Sequence, residues 1–550
     1  MPLRSSRWVL VVILAVCCFI RLWYLHAQVA VVDNEGATYA MMAENLYHGR
    51  GFLGPDSRLD LVETWLYPSL IALLMFVVRN SETAARIICF TCGVGLVLPV
   101  YGLARRLYGQ TAGWIAGSLI AVFPLLIALS ASMYTEALHL TLLMTAAYWA
   151  VRSMVPEDSR APLWCGLFLG LSYLNRPESL ALVPWTILFL ILAGWIRQSS
   201  WRQIARASAE VLILVTLLAA PYIILLHHFT GQFRLEGKSN LNYTLGQRMR
   251  TGIDPHDVSY GIDEQMHELG PLLNQDRFVT STPYPHHFRD WLAYFLYAAK
   301  VNKYWIYNKI LPSFALGSPF LLLFLVLGLF GKPWDRARAL SEAYLLGIVC
   351  FTLLLLLGIH SQQARFAFPL IPFFLLWTSC GVLIIYHWAK ETAASVLARP
   401  LAAPRIALLC AGGLLLLMML FSLRGLEDLT PLESESLKHL PIKQAGLWLG
   451  SYRPGPKGIF GSAVVSYYAG GAEMFYPYAD ARLALQYIHL KNPDFLVLDA
   501  DHAGYYPYYT DWLENGIPDP AAQLIYSSEK QSTDRILIYA WKRVPTSPGK

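Results

Sequence analysis

Apolar runs of about twenty residues, separated by short turns, make up most of the chain as far as residue 423. They fall at 8–27, 87–107, 111–130, 135–152, 161–175, 179–196, 207–228, 304–331, 339–359, 366–388 and 404–423. The pattern predicts a mainly α, polytopic transmembrane helix bundle of about eleven spans over residues 1–423. Arg4 and Arg7 precede the first run as they would in a signal peptide. No small-residue cleavage site follows, and the run is long enough to cross, so it is expected to stay as the first helix. Beyond 423 the pattern changes. Strand-like runs Ile459–Tyr468, Asp494–Asp499, Gln523–Tyr526 and Arg535–Trp541 alternate with turn residues and with a helical stretch, Ala481–Leu490. Residues 424–550 are therefore expected to form a small soluble α/β domain.

Composition supports lipid as the solvent. Of 550 residues, 55% are hydrophobic and 15% charged, where a soluble chain carries roughly a quarter charged residues. The net charge of +6 is spread among the apolar runs, which argues for membrane topology and against a nucleic-acid surface. All eight cysteines lie inside apolar runs, which leaves no disulfide framework and no zinc-ligand spacing.

Charge also sets the orientation. With the N-terminus in the cytoplasm, the cytoplasmic turns hold Arg105 and Arg106, Arg152 and Arg160, and Arg197, Arg202 and Arg206. Further along come Lys332, Arg336 and Arg338, then Lys390, Arg399 and Arg405. Every such turn is short and basic, as the positive-inside rule requires. The apolar stretch 65–78 must then not cross; short and interrupted by Pro68, it is expected to lie in the outer interface. Three long segments fall on the outer side: a first loop, 28–86, a middle loop, 229–303, and the tail. No repeat of solenoid or transporter kind is visible.

Seven ionisable residues at span ends are not explained by that rule. They are Asp33, Glu35, Glu136, Arg176, Glu178, His360 and Arg365, and the topology places all seven on the outer side. Each alone reads equally as a snorkelling or capping residue. Together they point to a shared polar cavity, because ionisable groups at membrane depth are costly and mark functional sites. In the first loop, Tyr39, Met42, Ala43, Leu46 and Tyr47 recur at helical spacing, which predicts an amphipathic helix over 37–48 on the membrane surface, ended by Gly49 and Gly51. Asp33 and Glu35 stand where the first span leaves the bilayer. Partial desolvation there raises a carboxyl pKa toward the range of a general base, and a carboxylate there equally suits a helix cap.

At this point the chain resembles the GT-C class of membrane glycosyltransferases, especially the relatives of protein O-mannosyltransferases and of the lipid A aminoarabinose transferase. The resemblance rests on the acidic first loop (Asp33, Glu35, Tyr39, Ala43, Asn45, Leu46, Gly49), on Thr135-Glu136, on Arg176-Pro177-Glu178, and on Arg365-Phe-Ala-Phe-Pro369-Leu-Ile-Pro372. It implies a sugar donor on a polyprenyl phosphate, a glycan, lipid or protein acceptor, and a first-loop acid that activates the acceptor. Many members carry adjacent Asp-Glu, whereas Asn34 separates the acids here, so Asp33 and Glu35 both stand as the counterpart. Asp33 matches by position after the first span and is taken as the base, with Glu35 capping the helix or holding a cation.

Guanidinium groups bind phosphate bidentately and stabilise leaving-group charge. Arg365 is the first candidate for the donor phosphate, followed by Arg176, Arg50 and Arg58, each of which also reads as a headgroup anchor. Tyr39, Glu136, Glu178 and His360 are expected to line the cavity. The carboxylates admit a divalent cation, although no ligand spacing calls for one. Nothing in the tail looks catalytic. These readings imply a multi-pass protein of the cell (inner) membrane with an extracytoplasmic tail. The rival is a lipid-linked-sugar transporter, or flippase, without transferase activity.

Overall fold

The computed structural model describes residues 2–155, 158–274, 287–315, 320–331, 334–358, 364–397, 439–528 and 535–542, with Gly413 and Leu420. His360, Lys332, Arg399, Arg405 and all of the expected span at 404–423 but Gly413 and Leu420 lie outside these residues. The chain divides into two compact units. The first comprises Met1–Ala27, Arg86–Leu225 and Ala298–Leu432; the second comprises Gln28–Ala85, Leu226–Tyr297 and Glu433–Lys550.

The first unit is helical. Six helices among the described residues are long and apolar enough to cross a membrane: Trp8–Gln28, Ser81–Tyr108, Pro177–Ile196, Trp201–Thr230, Arg338–Gly358 and Arg365–Thr392. A bent pair, Gln110–Val122 and Pro124–Ala131, makes a seventh when taken as one span. The count differs from eleven for identifiable reasons. Residues 135–152 and 161–175 form the helices Glu136–Ser153 and Ala161–Asn175, one carrying Glu136, His139 and Arg152 and the other only 15 residues long. Within the run 304–331 the described residues form the end of one helix, Phe288–Ala315, which contains Lys300 and Lys303, and the helix Phe320–Phe330. Leu66–Val78 is an apolar helix of 13 residues, short for a crossing.

Two local devices hold this unit. At the 56° bend, Phe123 is extended and Pro124 lacks the N–H that a continuous helix would supply to Ile120. Arg21 from the first helix fills the gap. Its Nη1 donates to Ala121 O at 2.8 Å, its Nη2 to Ile120 O at 3.1 Å, and its Nε to Ser130 Oγ at 2.9 Å. Carbonyls freed at membrane depth need such partners, which explains a fully buried arginine in the first span. Elsewhere Phe320–Phe330 packs on Ile371–Leu397, where Gly328 meets the Trp377 carbonyl and Gly381 meets that of Phe324. A side chain at either glycine would push the backbones apart. Arg338, counted above among the cytoplasmic bases, is buried beside Glu342 at 3.3 Å, and Glu342 also accepts from Tyr108 and Trp377.

The second unit gathers the first loop, the middle segment and the tail. Its sheet has the order β2-β1-β3-β5-β4, with β1 Gly458–Phe460, β2 Ala472–Met474, β3 Phe495–Asp499, β4 Ala522–Ser527 and β5 Ile536–Trp541. β1 pairs in parallel with β2 and β3, while β5 pairs antiparallel with β3 and β4. The run Ile459–Tyr468 expected as one strand is instead β1 followed by the helix Ala463–Ala469. Ser462 caps that helix on the Val465 amide, and left-handed Gly470 closes it. The helix Ala481–Lys491 then crosses to the fully buried β3. Inter-segment bonds tie the unit together: Glu473 N to Pro55 O at 2.9 Å, Tyr478 N to Tyr260 O at 2.8 Å, and Tyr487 Oη and Lys491 Nζ to Glu268.

Candidate active site

Within the first unit four of the seven predicted span-end residues, Glu136, Arg176, Glu178 and Arg365, come together. Thr135-Glu136 ends a break after Ala131 and starts the helix Glu136–Ser153, while Arg176 ends the helix Ala161–Asn175 in an extended conformation set by Pro177. Arg176 Nη1 reaches Glu136 Oε1 at 3.1 Å and its Nε reaches Glu178 Oε1 at 2.6 Å. Arg365, in the short helix Ala364–Leu370, brings its Nε to 3.9 Å from the same Glu136 oxygen and lies 4.6 Å from the Tyr134 ring. Phe366 stacks under both guanidiniums. Glu136 is 1% exposed, and its Oε2 has no hydrogen-bond partner among the described residues. Two cations and two anions are therefore concentrated at one place, at the ends of apolar helices, where a polar cluster is expensive to maintain for packing alone.

The second unit holds the first-loop acids. The predicted helix is present, running Asn34–Tyr47. Its buried residues, Gly36, Ala37, Tyr39, Ala40, Met41, Met42 and Ala43, pack in this unit against Leu66–Val78 and Ala463–Ala469, while Asn34, Glu35 and Thr38 line a cavity. Gly49 adopts a positive φ of 72°, and the Arg50 amide turns back to Asn45 O, which ends the helix as its glycines predict. The N-cap is Asp33, whose Oδ1 accepts the Gly36 amide at 2.7 Å; the capping role considered for Glu35 belongs to Asp33. Glu35 lines a cavity of about 410 Å³.

That cavity is framed by the first loop, by Tyr260 and His256 of the middle segment, and by the tail. Five carboxylates line it: Glu35, Asp56, Asp60, Glu63 and Glu473. Asp60 Oδ1 accepts the Val62 and Glu63 amides, both at 2.8 Å. Burial and the neighbouring Glu63 nevertheless push its carboxyl up to about 7. Glu63 accepts from Tyr39 Oη at 2.8 Å and from Lys238 Nζ at 2.9 Å. Tyr39, expected on the cavity wall, thus supports it from behind. Glu473 is pushed up to about 8, chiefly by burial and then by Asp56. His502 donates through Nδ1 to Asp499 Oδ1 at 2.6 Å. Burial alone would lower its pKa, and the Asp499 carboxylate more than offsets this, leaving it raised. Of the loop arginines, Arg58 lines the cavity, 3.9 Å from Asp56, and Arg50 sits on an exposed turn, 3.4 Å from Asn45 Oδ1. Among the described residues no group of three or more His, Cys, Asp or Glu is placed to hold a metal ion.

The tail therefore contributes side chains that the sequence reading did not single out: Glu473, His502 and the tyrosines 505, 506 and 509. A signal existed in the acid between apolar neighbours in Ala-Glu-Met and in the run Tyr505-Tyr506-Pro507-Tyr508-Tyr509.

Residues 63–224 match the family model described as dolichyl-phosphate-mannose-protein mannosyltransferase. No curated protein matches the sequence. Two solved structures are similar over 98% of the chain. ArnT from Cupriavidus metallidurans, bound to undecaprenyl phosphate, aligns with a TM-score of 0.61 at 12% identity over 99% of its own length. The oligosaccharyltransferase AglB from Archaeoglobus fulgidus, in complex with an inhibitory peptide and a dolichol-phosphate, aligns with a TM-score of 0.62 at 12% identity over 74% of its length. The chain is a membrane protein with the GT-C glycosyltransferase fold, the class its motifs resemble. Among the solved structures of that fold, ArnT matches it almost end to end.

Proposed function

We propose that the chain is an integral membrane glycosyltransferase that moves a sugar from a polyprenyl-phosphate donor to an acceptor on the outer face of the cell membrane. The observation that carries this reading is a first-loop carboxylate, Glu35, lining a cavity in a chain with an ArnT- and AglB-like fold. The base accepts the proton of the acceptor hydroxyl, the hydroxyl oxygen bonds to the anomeric carbon, and the sugar–phosphate bond breaks to release polyprenyl phosphate. Glu35 takes the role of base, because Asp33 Oδ1 is engaged by the helix amide; Asp33 then fixes the helix that carries Glu35. Arg365 and Arg176 are assigned to the departing phosphate. Arg58 is less suited to that role, because it shares its cavity with acids that repel an anion. The N-terminus is assigned to the cytoplasm and the tail to the periplasmic side, in keeping with the basic turns. A role in cell-envelope glycan assembly, lipopolysaccharide included, follows for a protein so placed.

Mass spectrometry of co-purified lipids, followed by transfer assays with the lipid found, tests the reading. A polyprenyl-phosphate sugar that loses its sugar in the presence of acceptor is the expected result. Movement of that lipid across proteoliposomes without transfer, indifferent to Asp33→Asn and Glu35→Gln together, would instead establish the transporter.

A further inference from the structure

The second-unit cavity contains more than a base requires. Glu473 is 6% exposed, lines the cavity, and its carboxyl makes no hydrogen bond among the described residues. A buried carboxyl without a partner costs on the order of a few kcal/mol, so a group arriving from outside is the natural partner. The opposite wall is aromatic: Tyr260, Phe475, Tyr476, Tyr505, Tyr506 and Tyr509. Tyr505 is 42% exposed and is held flat by His256, stacked at 4.7 Å and 25°. A fixed, half-exposed ring beside a buried polar group offers a stacking face and a hydrogen bond to the same ligand. The volume of about 410 Å³ lies within the range of small-molecule pockets, roughly 300–1,000 Å³.

We propose that this cavity is the acceptor subsite and that it holds a neutral sugar ring, its C–H face on Tyr505 and its hydroxyls bonded to Glu473 and its acidic neighbours. The proposal rests on the transferase reading and names the acceptor class of that site. Glu35, Asp56 and Glu63 against one arginine disfavour a phosphate or any other anion. Hydroxyls suit carboxylates as donors, and a protonated Glu473 both donates and accepts, as a hydroxyl does. A cationic ligand is not required, because burial keeps Glu473 largely protonated near pH 7 and leaves Asp60 about half-protonated there.

The test uses the full-length protein in nanodiscs without donor lipid, read by saturation-transfer NMR with methyl α-mannopyranoside, methyl β-glucopyranoside and maltose as probes. Inorganic phosphate and a serine-containing peptide serve as comparison probes. Saturable transfer to sugar ring protons is expected, lost in Tyr505→Ala and weakened about tenfold or more in Glu473→Ala. Glu473→Gln, which keeps a donor and an acceptor, stays within a few-fold of wild type. Tyr505 is partly exposed, so its variant folds even where Glu473→Ala does not. Absence of sugar binding, binding unchanged in Tyr505→Ala, or binding of the peptide or phosphate alone overturns the proposal. A protein that transfers sugar but fails this assay loses the subsite and keeps the transferase reading; one that binds sugars but never transfers does the reverse.

Discussion

Asp33 and Glu35, two residues apart at the start of one helix, are committed to different tasks: Asp33 Oδ1 accepts the Gly36 amide at 2.7 Å, while Glu35 lines the cavity. The division follows from backbone conformation. Asp33 precedes the helix with φ −84° and ψ 174°, which turns its side chain back onto the first amides. Glu35 is already helical, about 200° around the axis from position 33, and is directed elsewhere.

The first prediction uses that division. Glu35→Gln should slow transfer by about 10² to 10⁴, the usual cost of losing a general base, with thermal stability nearly unchanged. Asp33→Asn keeps a good N-cap and should transfer at close to the wild-type rate, while Asp33→Ala loses about 1 kcal/mol of stability. Rates with a polyprenyl-phosphate sugar and unfolding temperatures separate the two residues. Abolished transfer in Asp33→Asn with an active Glu35→Gln would reverse the assignment.

A second prediction concerns Glu136, which holds Arg176 at 3.1 Å and Arg365 at 3.9 Å. Glu136→Gln removes the carboxylate that the two guanidiniums share, leaving Arg176 with Glu178 alone, and should cost about 3 kcal/mol of stability. Arg365→Ala leaves the tighter Arg176 pair intact. It should therefore fold normally while transfer falls about 10²- to 10³-fold, the loss expected for a donor to developing charge. Thermal unfolding and donor-dependent kinetics, measured on both variants, distinguish a packing role from a phosphate role.

Much of this architecture is legible in the chain because lipid imposes a single strong rule, continuous apolar length. The helix after the first span is legible from its apolar spacing and its two glycines. The ion-pair cluster is legible only as a list: Glu136, Arg176, Glu178 and Arg365 look like four separate span ends until the extended Arg176 and the short helix at Ala364–Leu370 bring them together. The tail's part of the cavity is hidden for another reason. Glu473 faces Asp56 across more than four hundred residues, and no local periodicity encodes such a pairing. The capping exchange at Asp33 is equally invisible, since an acid one position either side of a helix start satisfies the same composition rule.

The third prediction tests the repair at the broken span. Arg21 donates to two carbonyls exposed by the bend and to Ser130, and Gly93 leaves no room beside them: a methyl there would collide with Ser130 Oγ. Gly93→Ala should therefore push Ser130 off Arg21, and Arg21→Leu should remove all three bonds. Each charged hydrogen bond contributes roughly 1.5–3 kcal/mol, so Arg21→Leu should be the more damaging in an unfolding assay. Ser130→Ala, which removes one acceptor and opens space, should restore part of the stability of Gly93→Ala. A double mutant no better than the single one would show that the bend is held by other means.

The last prediction concerns pH and Glu473. Its folded-state carboxyl is raised to about 8, against about 4.3 in an unfolded chain. Between these values the native protein holds a proton that the unfolded chain has released, so folding is disfavoured progressively as pH rises. The stability present below the unfolded value is lost across roughly pH 4 to 8 and stays lost above it, with a ceiling of a few kcal/mol at 1.36 kcal/mol per unit. Asp56 faces Glu473 and strengthens the effect, His502 opposes it, and the phenols of Tyr260 and Tyr506 stay neutral throughout this window. His502 has its own raised pKa, so its contribution is also lost as pH rises. Glu473→Gln isolates the carboxyl, because glutamine has the same shape and never ionises. The variant should match wild type in unfolding temperature near pH 4.5 and exceed it by a growing margin up to pH 8 or 9. A constant difference across that range would mean that Glu473 is already ionised at neutral pH, with its charge met by a partner inside the cavity.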